Sequence, residues 1–302
     1  MRALVVGADG FVGRWLVRHL AEVGDDVVGL VGARYQPPLE GASAVHAADV
    51  RELPAVAAVV RDAAPEALYY LAAVSAAGRR ERVLDAVGIG VSGAVNALAA
   101  CAEEGRPVRF LFVSSAHVYG DAGPAHVTES APLRPRNVYG AAKAAAEAAL
   151  LQLAPVTPAE LLIARPFNHI GPGQQAPFLV PQLDEQLRNA GGADARISVG
   201  APDMVRDYTD VRDVVRAYRL LVEHGEAATV YNVASGQGRS VTEVFDALVA
   251  AFGARAELLA DPAIDRSGDV PVLVGDAARL RSLGWHPTYA LDRTLSDVVA
   301  AG

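Results

Sequence analysis

Cysteine, lysine and long apolar runs are scarce in this 302-residue chain, and each scarcity removes a class of function. Cys101 stands alone, so no intramolecular disulfide is available. It lies in an Ala-rich helical stretch, where a thiol serves as a small buried hydrophobe, and a reducing, cytoplasmic setting is expected. Lys and Arg together number 27 against 35 Asp and Glu, a formal charge of -8. That balance supplies no basic face, so neither DNA nor RNA is an expected partner. A small anion stays eligible, because a few local arginines outweigh a distant net charge that salt screens over roughly 10 Å. Gly7 follows Arg2 too soon to leave room for a signal-peptide core, and no 18-residue apolar run is expected further on, so no membrane association is anticipated. Internal repeats and low-complexity linkers are also lacking.

What is present is a large apolar fraction, 52%, enough for one large or two unequal domains. Short apolar runs ("ALVV", "DVVGLV", "SAVHA", "EALYYLAA", "VRFLFVSS", "AELLIAR") alternate with amphipathic or Ala-rich segments such as "FVGRWLVRHLAEVG" and "PAVAAVVRDAA". Strand and helix in alternation require crossover connections and hence a parallel sheet; the runs do not alternate polar with apolar, as expected of strands covered on both faces. The expected fold is α/β, a doubly wound parallel sheet of Rossmann type with a smaller C-terminal substrate-binding domain. After Arg165 the texture turns to Gly, Pro and Gln in "RPFNHIGPGQQAP". The boundary is therefore placed between a dinucleotide-binding domain, 1–165, and a mainly substrate-binding domain, 166–302. Some later segments are left free to return to the first.

In "VVGADGFVG", Gly7, Gly10 and Gly13 fall in the turn between the first strand and the first helix. Glycines there let backbone approach a pyrophosphate and offer it helix N-terminal amides. A plain turn would use glycine too, but the position directly after a strand and before an amphipathic helix favours dinucleotide binding. An acidic residue at the end of the second strand would mark NAD. Val31 occupies that place, with Arg34 shortly after, which tilts the cofactor from NAD toward NADP. Asp49, after the third strand, is read equally as an adenine contact or a helix cap.

Tyr139 and Lys143, in "VYGAAKAAAE", stand four apart on an Ala-rich helix and so share a face. Lys143 is the only lysine in the chain. Wherever else a cation is wanted the sequence uses Arg. An ammonium is a compact charge that fits beside a phenol and lowers its pKa from about 10, as a general acid or base requires.

With "GADGFVG", "SSAHVYG", "YGAAK", "RPFNHIGPGQ", "RDYTDVRDVVRAY" and "YNVASG", the chain resembles, over essentially its whole length, the extended short-chain dehydrogenases/reductases that act on nucleotide sugars. The resemblance implies that Ser115 is the hydrogen-bond partner of the reacting sugar oxygen, Tyr139 the acid/base and Lys143 the ribose-binding lysine, with Ser114 structural. It implies that Phe11, Val12, Val50, Leu71, Ala72 and Ala73 join the glycines, Arg34 and Asp49 around NADP or NAD. On the substrate side it implies His117 beside the sugar, and Asn168, Arg206 and Arg266 on the nucleotide diphosphate, Arg being suited to phosphate by its two-pronged donor geometry. His169 reads either as a ligand contact or as a satisfied, partly buried histidine. Asp210 and Asp213 read as helix caps. Homodimerisation through "AVNALAACAEEG" and "YGAAKAAAEAALLQL" is the family pattern, the alternative being that both helices pack only on their own sheet. No metal is expected.

Two further absences bear on the reaction. The family usually carries Asn where this chain has Gly90, which changes packing near the site. Dehydratases of the family place an acidic residue in the two positions after the hydroxyl residue, to remove the C5 proton; here those positions are Ala116 and His117. Alanine does no proton chemistry and histidine is an unusual base. The resemblance is then nearest to GDP-4-keto-6-deoxy-D-mannose reductases, forming GDP-D-rhamnose. A UDP-hexose 4-epimerase is the alternative, and a catalytically silent dinucleotide-sensing module, which would not be expected to retain both Tyr139 and Lys143, a third.

Overall fold

The computed structural model describes residues 1–32, 35, 38–74, 83–123, 126–190, 195–261, 263–264 and 270–302. The six apolar runs of the first half are β1 (Arg2–Val6), β2 (Asp26–Val31), β3 (Ala44–Ala47), β4 (Ala67–Tyr70), β5 (Val108–Val113) and β6 (Ala159–Pro166). They lie in the order β3-β2-β1-β4-β5-β6, every pair parallel, the order of a Rossmann sheet. Helices α1 (Phe11–Glu22), α2 (Leu53–Ala63), α3 (Val83–Val87), α4 (Gly93–Glu103) and α5 (Val138–Leu153) make the crossovers. Because both faces are covered, alternate residues of one strand enter different cores: Val5, Tyr69 and Leu111 meet Leu16 and Val17 of α1, while Leu4, Leu68 and Phe110 meet Val60 of α2, Leu98 of α4 and Leu150 of α5.

A π-helical turn, Gly88–Ser92, joins α3 to α4, making one helical run, Val83–Glu103, that is long and apolar enough by length and composition to cross a membrane. This corrects the expectation that no such run occurs. The run is apolar on one side because Ala94, Ala97, Leu98 and Cys101 pack onto the sheet. Burial pushes the Cys101 thiol up to about 12.

Beyond β6 the chain forms β7 (Asn168–Ile170), α6 (Leu179–Asn189), β8 (Ala195–Val199), β9 (Val205–Asp210), α7 (Val211–His224), β10 (Thr229–Val233), β11 (Gly238–Ser240), α8 (Val241–Phe252), β12 (Ala256–Ala260), β13 (Val272–Leu273), α9 (Ala278–Arg281) and α10 (Leu291–Ala301). A small sheet sets β9 between β11 and β13, with β7 also pairing to β9. β8 and β12 form a separate parallel pair. Leu183, Ile197, Phe245 and Leu295 share the core of this second lobe.

The boundary expected after Arg165 falls inside β6, and the chain beyond it divides between the lobes. β10 pairs with β6 as the seventh parallel strand, while Tyr218 and Leu221 of α7 enter the core beneath α1. Asp210 caps α7 by accepting the Arg212 amide at 2.8 Å. Asp213, expected as a cap, instead lies fully buried in the first turn of α7. It accepts the backbone amides of Thr288 and Tyr289 at 2.8 and 2.9 Å, fastening the C-terminal segment to α7.

Candidate active site

The glycine turn sits at the end of β1, against the end of β4. Gly7 has a φ of +85°, and a Cβ on it would stand 2.8 Å from the Ala72 amide nitrogen. A Cβ on Gly13 would collide with the Gly7 carbonyl and stand 2.8 Å from the Ala8 Cα. The turn can therefore close only around bare backbone. α1 begins behind Gly10 with no side-chain cap and no acidic residue in its first turn, leaving the N–H groups of Phe11, Val12 and Gly13 to an incoming anion. These features fit a dinucleotide pyrophosphate.

Leu71 continues β4 by donating to the Val6 carbonyl at 2.9 Å, which brings Leu71, Ala72 and Ala73 beside the turn. Val31 ends β2, buried, and Val50 is buried as well. Asp49 does not cap α2, whose cap is Glu52. Its carboxylate accepts from the amide and guanidinium of Arg51, which hold it below the usual carboxylate range. Arg34 and Arg266 lie outside the described residues.

At the end of β5, Ser115 turns the chain into a short 3-10 helix, Ala116–Val118, its hydroxyl accepting the His117 amide at 3.2 Å. The Asn137 side chain caps α5 by accepting the Gly140 N–H at 2.8 Å, which sets Tyr139 in the first turn. The Ser115 hydroxyl stands close enough to the Tyr139 phenol to favour its ionised form. One turn on, Lys143 is buried, donating to the Val113 carbonyl at 2.6 Å with its ammonium 4.8 Å from the Phe112 ring centroid and 6.0 Å from that of Tyr139. The structure thus brings the three expected residues together, but the electrostatics differ from expectation. Burial raises the Tyr139 phenol above its ordinary value, opposed only by the Ser115 hydroxyl. Lys143 is the group that moves down, to about 7, by burial, with the Glu147 carboxylate pulling the other way. The ammonium points at a carbonyl and is itself desolvated, so it does not depress the phenol in this arrangement.

From this point a cleft of about 620 Å³ runs into the second lobe. His117 links the two: its ring meets Tyr139 edge-on at 5.8 Å and its Nδ1 lies 3.2 Å from the Asn137 amide. Asn168 and Arg206, both expected, line the cleft. Arg206 is buried and donates to the Val205 carbonyl at 2.8 Å. His169 does not line it; the ring stacks on Phe11 at 6.3 Å and donates Nδ1–H to the Phe167 carbonyl, and burial lowers its pKa.

Sequence reasoning missed Arg136 and Asn137 on one wall, and Gln182, Glu185 and Gln186 of α6 on the other. Signals existed for both. "RPRN" directly precedes "VYG", and the three α6 residues recur at i, i+3 and i+4. A second cleft, about 550 Å³, lies between α1 and the 172–178 loop and shares Pro177 and Phe178 with the first.

With this geometry in place, comparison with known proteins gives a consistent result. Residues 4–298 match the family described as GDP-mannose 4,6 dehydratase. The GDP-6-deoxy-D-mannose reductase of Pseudomonas aeruginosa is 37% identical over 217 residues, 70% of this chain and 71% of that one. The structure of RMD from Pseudomonas aeruginosa complexed with NADPH matches with a TM-score of 0.84 and 30% identity, over 100% of this chain and 99% of that one. A Thermus thermophilus UDP-glucose 4-epimerase in complex with NAD matches with a TM-score of 0.88 and 26% identity, over 100% and 98%. The chain therefore belongs to the GDP-mannose 4,6-dehydratase family and is a nucleotide-sugar-modifying enzyme of the extended short-chain dehydrogenase/reductase type.

Proposed function

We propose that the protein reduces the C4 ketone of a nucleotide-activated 4-keto-6-deoxyhexose, GDP-4-keto-6-deoxy-D-mannose to GDP-D-rhamnose, with NADPH or NADH. One observation carries the reading: Ser115, Tyr139 and Lys143 come together with Ala116 and His117 following Ser115, while the Glu147 carboxylate nearby is buried in its pair with Arg165. Among the described residues the one carboxylate lining the cleft is Glu185, on α6 of the second lobe. Removal of the C5 proton, which dehydration requires, thus finds no acidic residue in the two positions after Ser115.

The glycine turn and the free N–H groups of Phe11, Val12 and Gly13 would hold NAD(P)H, which would supply the hydride. Tyr139 hands its proton to the C4 oxygen, and a phenol raised by burial is fully protonated at neutral pH, the state a reductase needs. Ser115 holds the same oxygen, while Lys143 serves the cofactor ribose. Arg206 and Arg136 meet the diphosphate with two-pronged donors. On α6 the Gln186 Oε1 accepts the Ser198 amide at 3.2 Å, so its NH₂ group faces outward as a donor. With Glu185 as acceptor this pair suits guanine, whose O6 accepts while N1–H and N2–H donate. A uracil or thymine would set its O2 lone pairs against the carboxylate.

The relative named GDP-6-deoxy-D-mannose reductase supports this reading. The second reading, a UDP-hexose 4-epimerase, draws on the Thermus structure and on the same three residues. A non-catalytic dinucleotide-sensing module would leave the assembled Ser115–Tyr139–Lys143 group without purpose.

The test supplies GDP-mannose with NADP, then GDP-4-keto-6-deoxy-D-mannose with NADPH. The expected result is no reaction with the first. With the second, one NADPH is consumed per product and the sugar gains two mass units. Ketosugar formed from GDP-mannose would overturn the proposal, and interconversion of UDP-hexoses without net cofactor consumption would establish the second reading.

A further inference from the structure

Tyr139, Lys143 and Glu147 follow one another at intervals of four on α5 and so face the same way. The first two have roles in the proposed reaction; the third has none. Glu147 is 1% exposed, Lys143 2% and Arg165, at the end of β6, 5%. Arg165 forks onto Glu147, with Nε 2.9 Å from Oε1 and one terminal nitrogen 2.5 Å from Oε2. Its other terminal nitrogen donates to the Tyr119 hydroxyl at 3.0 Å, which donates in turn to Asn232 Oδ1 at 2.6 Å. The Ser114 hydroxyl donates to the same Glu147 carboxylate, and Ser114 is the chain neighbour of Ser115.

The surroundings of Lys143 explain why a carboxylate belongs here. Among the described residues its ammonium has one hydrogen-bond acceptor, the Val113 carbonyl, and two aromatic faces. The adjoining π-helical turn contributes nothing at Gly90, where a Cβ would find only the Ala142 methyl, 3.8 Å away. Of the ionisable groups facing Lys143, Tyr139 is neutral, and Glu147 is the one carboxylate that acts on it. A buried cation without such support gives up its proton.

We propose that Glu147 is a positioning residue of this site, keeping the Lys143 side chain charged through its own negative charge and fixing Ser115 in register through Ser114. The proposal rests on the assignment of Tyr139, Ser115 and Lys143 as working groups. It predicts something that a mere brace between α5 and β6 would not show, a change in pH dependence. In Glu147→Gln the alkaline fall of kcat/KM moves to lower pH by roughly two units, the size of one charge–charge interaction across about 6 Å, one helical turn, at an effective dielectric constant of about 20. NADPH affinity, read by fluorescence titration without turnover, weakens more at pH 8.5 than at pH 6.5 for the same reason.

Glu147→Gln leaves a buried guanidinium without its carboxylate, which can unfold a protein. Glu147→Gln/Arg165→Gln removes both charges while retaining amide hydrogen bonding, and moves the alkaline limb in the same direction. A folded double variant whose pH profile and pH-dependent NADPH affinity match the wild type overturns the proposal, whatever its melting temperature. Lys143→Arg separates this from failure of the functional reading. If that variant keeps more than a tenth of wild-type turnover, the role given to Lys143 is wrong; if turnover is lost and only Glu147 proves silent, the positioning role alone is wrong.

Discussion

Adjacent serines at the end of β5 offer a sharp test, because the structure gives them opposite duties. The Ser115 hydroxyl acts on the Tyr139 phenol and accepts the His117 amide. The Ser114 hydroxyl is turned away, into the Glu147–Arg165 pair. Under the proposed function Ser115→Ala removes the group that meets the reacting oxygen, so kcat is expected to fall by roughly 10 to 1000-fold, from an ordinary lost hydrogen bond to a lost oxyanion donor. Its stability cost is about 1 kcal/mol, from one partly buried amide left without its acceptor. Ser114→Ala removes a hydrogen bond to a buried carboxylate, worth about 1.5–3 kcal/mol, while Arg165 still holds Glu147, so kcat changes far less. The assay pairs initial rates of NADPH absorbance loss at saturating ketosugar with urea unfolding of both variants. If Ser114→Ala slows turnover more than Ser115→Ala does, the register at the end of β5 is misread by one residue, and the inward face assigned there is wrong with it.

Lys143 makes activity and stability diverge with pH. Its folded pKa is depressed from 10.5 to about 7, so between those values the unfolded chain binds a proton that the folded protein does not. Stability then rises with pH across that window, while kcat/KM falls above about pH 7. Chemical denaturation at pH 7 and pH 9 in wild type and Lys143→Met reads the first effect, and a kcat/KM profile the second; equal pH slopes in the two proteins would refute the buried-lysine assignment. Gly13→Ala would drive a methyl group into the Gly7 carbonyl, abolishing detectable NADPH binding in a fluorescence titration; near-normal affinity would show that the turn is not the cofactor cradle. Glu185→Gln should narrow the preference for GDP over UDP, measured by calorimetry, by about tenfold or more, the scale of one charged hydrogen bond, and an unchanged ratio would move base recognition elsewhere. Homodimerisation across α4 and α5 is proposed from their Ala-rich faces and from exposed Leu84, Val138, Leu153 and Val156; a monomeric mass by light scattering at micromolar concentration would reject it.

Strands β1, β2, β4, β5 and β6 were legible because a strand buried on both faces has no polar alternation to confuse with anything else. Short pairings such as β7 with β9, and β13 with β9, left no such trace, since two or three residues become a strand only when a neighbour is already in place. "ATVYNV" reads as a strand wherever it goes; that β10 rejoins the first sheet is decided by what packs around it. The pairing of Tyr139 with Lys143 was legible from residue type and spacing, and Ser115 from the family resemblance. The direction of its pKa shifts was not, because spacing places an ammonium near a phenol without saying how deeply either is buried or which carbonyl takes the hydrogen bond. Asp49 shows the same limit on a smaller scale, its carboxylate committed to Arg51 two residues away.

The route of the chain through β10 and α7 constrains how relatives of this enzyme can exchange parts. A recombination point at residue 165, where composition changes, would carry the cleft walls of β8 and α6 into a new host. The same cut would also deliver a foreign edge strand beside β6, and a foreign α7 whose Tyr218 and Leu221 must fit under α1. Transplanting substrate preference between such enzymes therefore calls for two insertions, one on each side of a retained α7–β10 segment, with Asp213 and its partners at Thr288 and Tyr289 kept from the same parent.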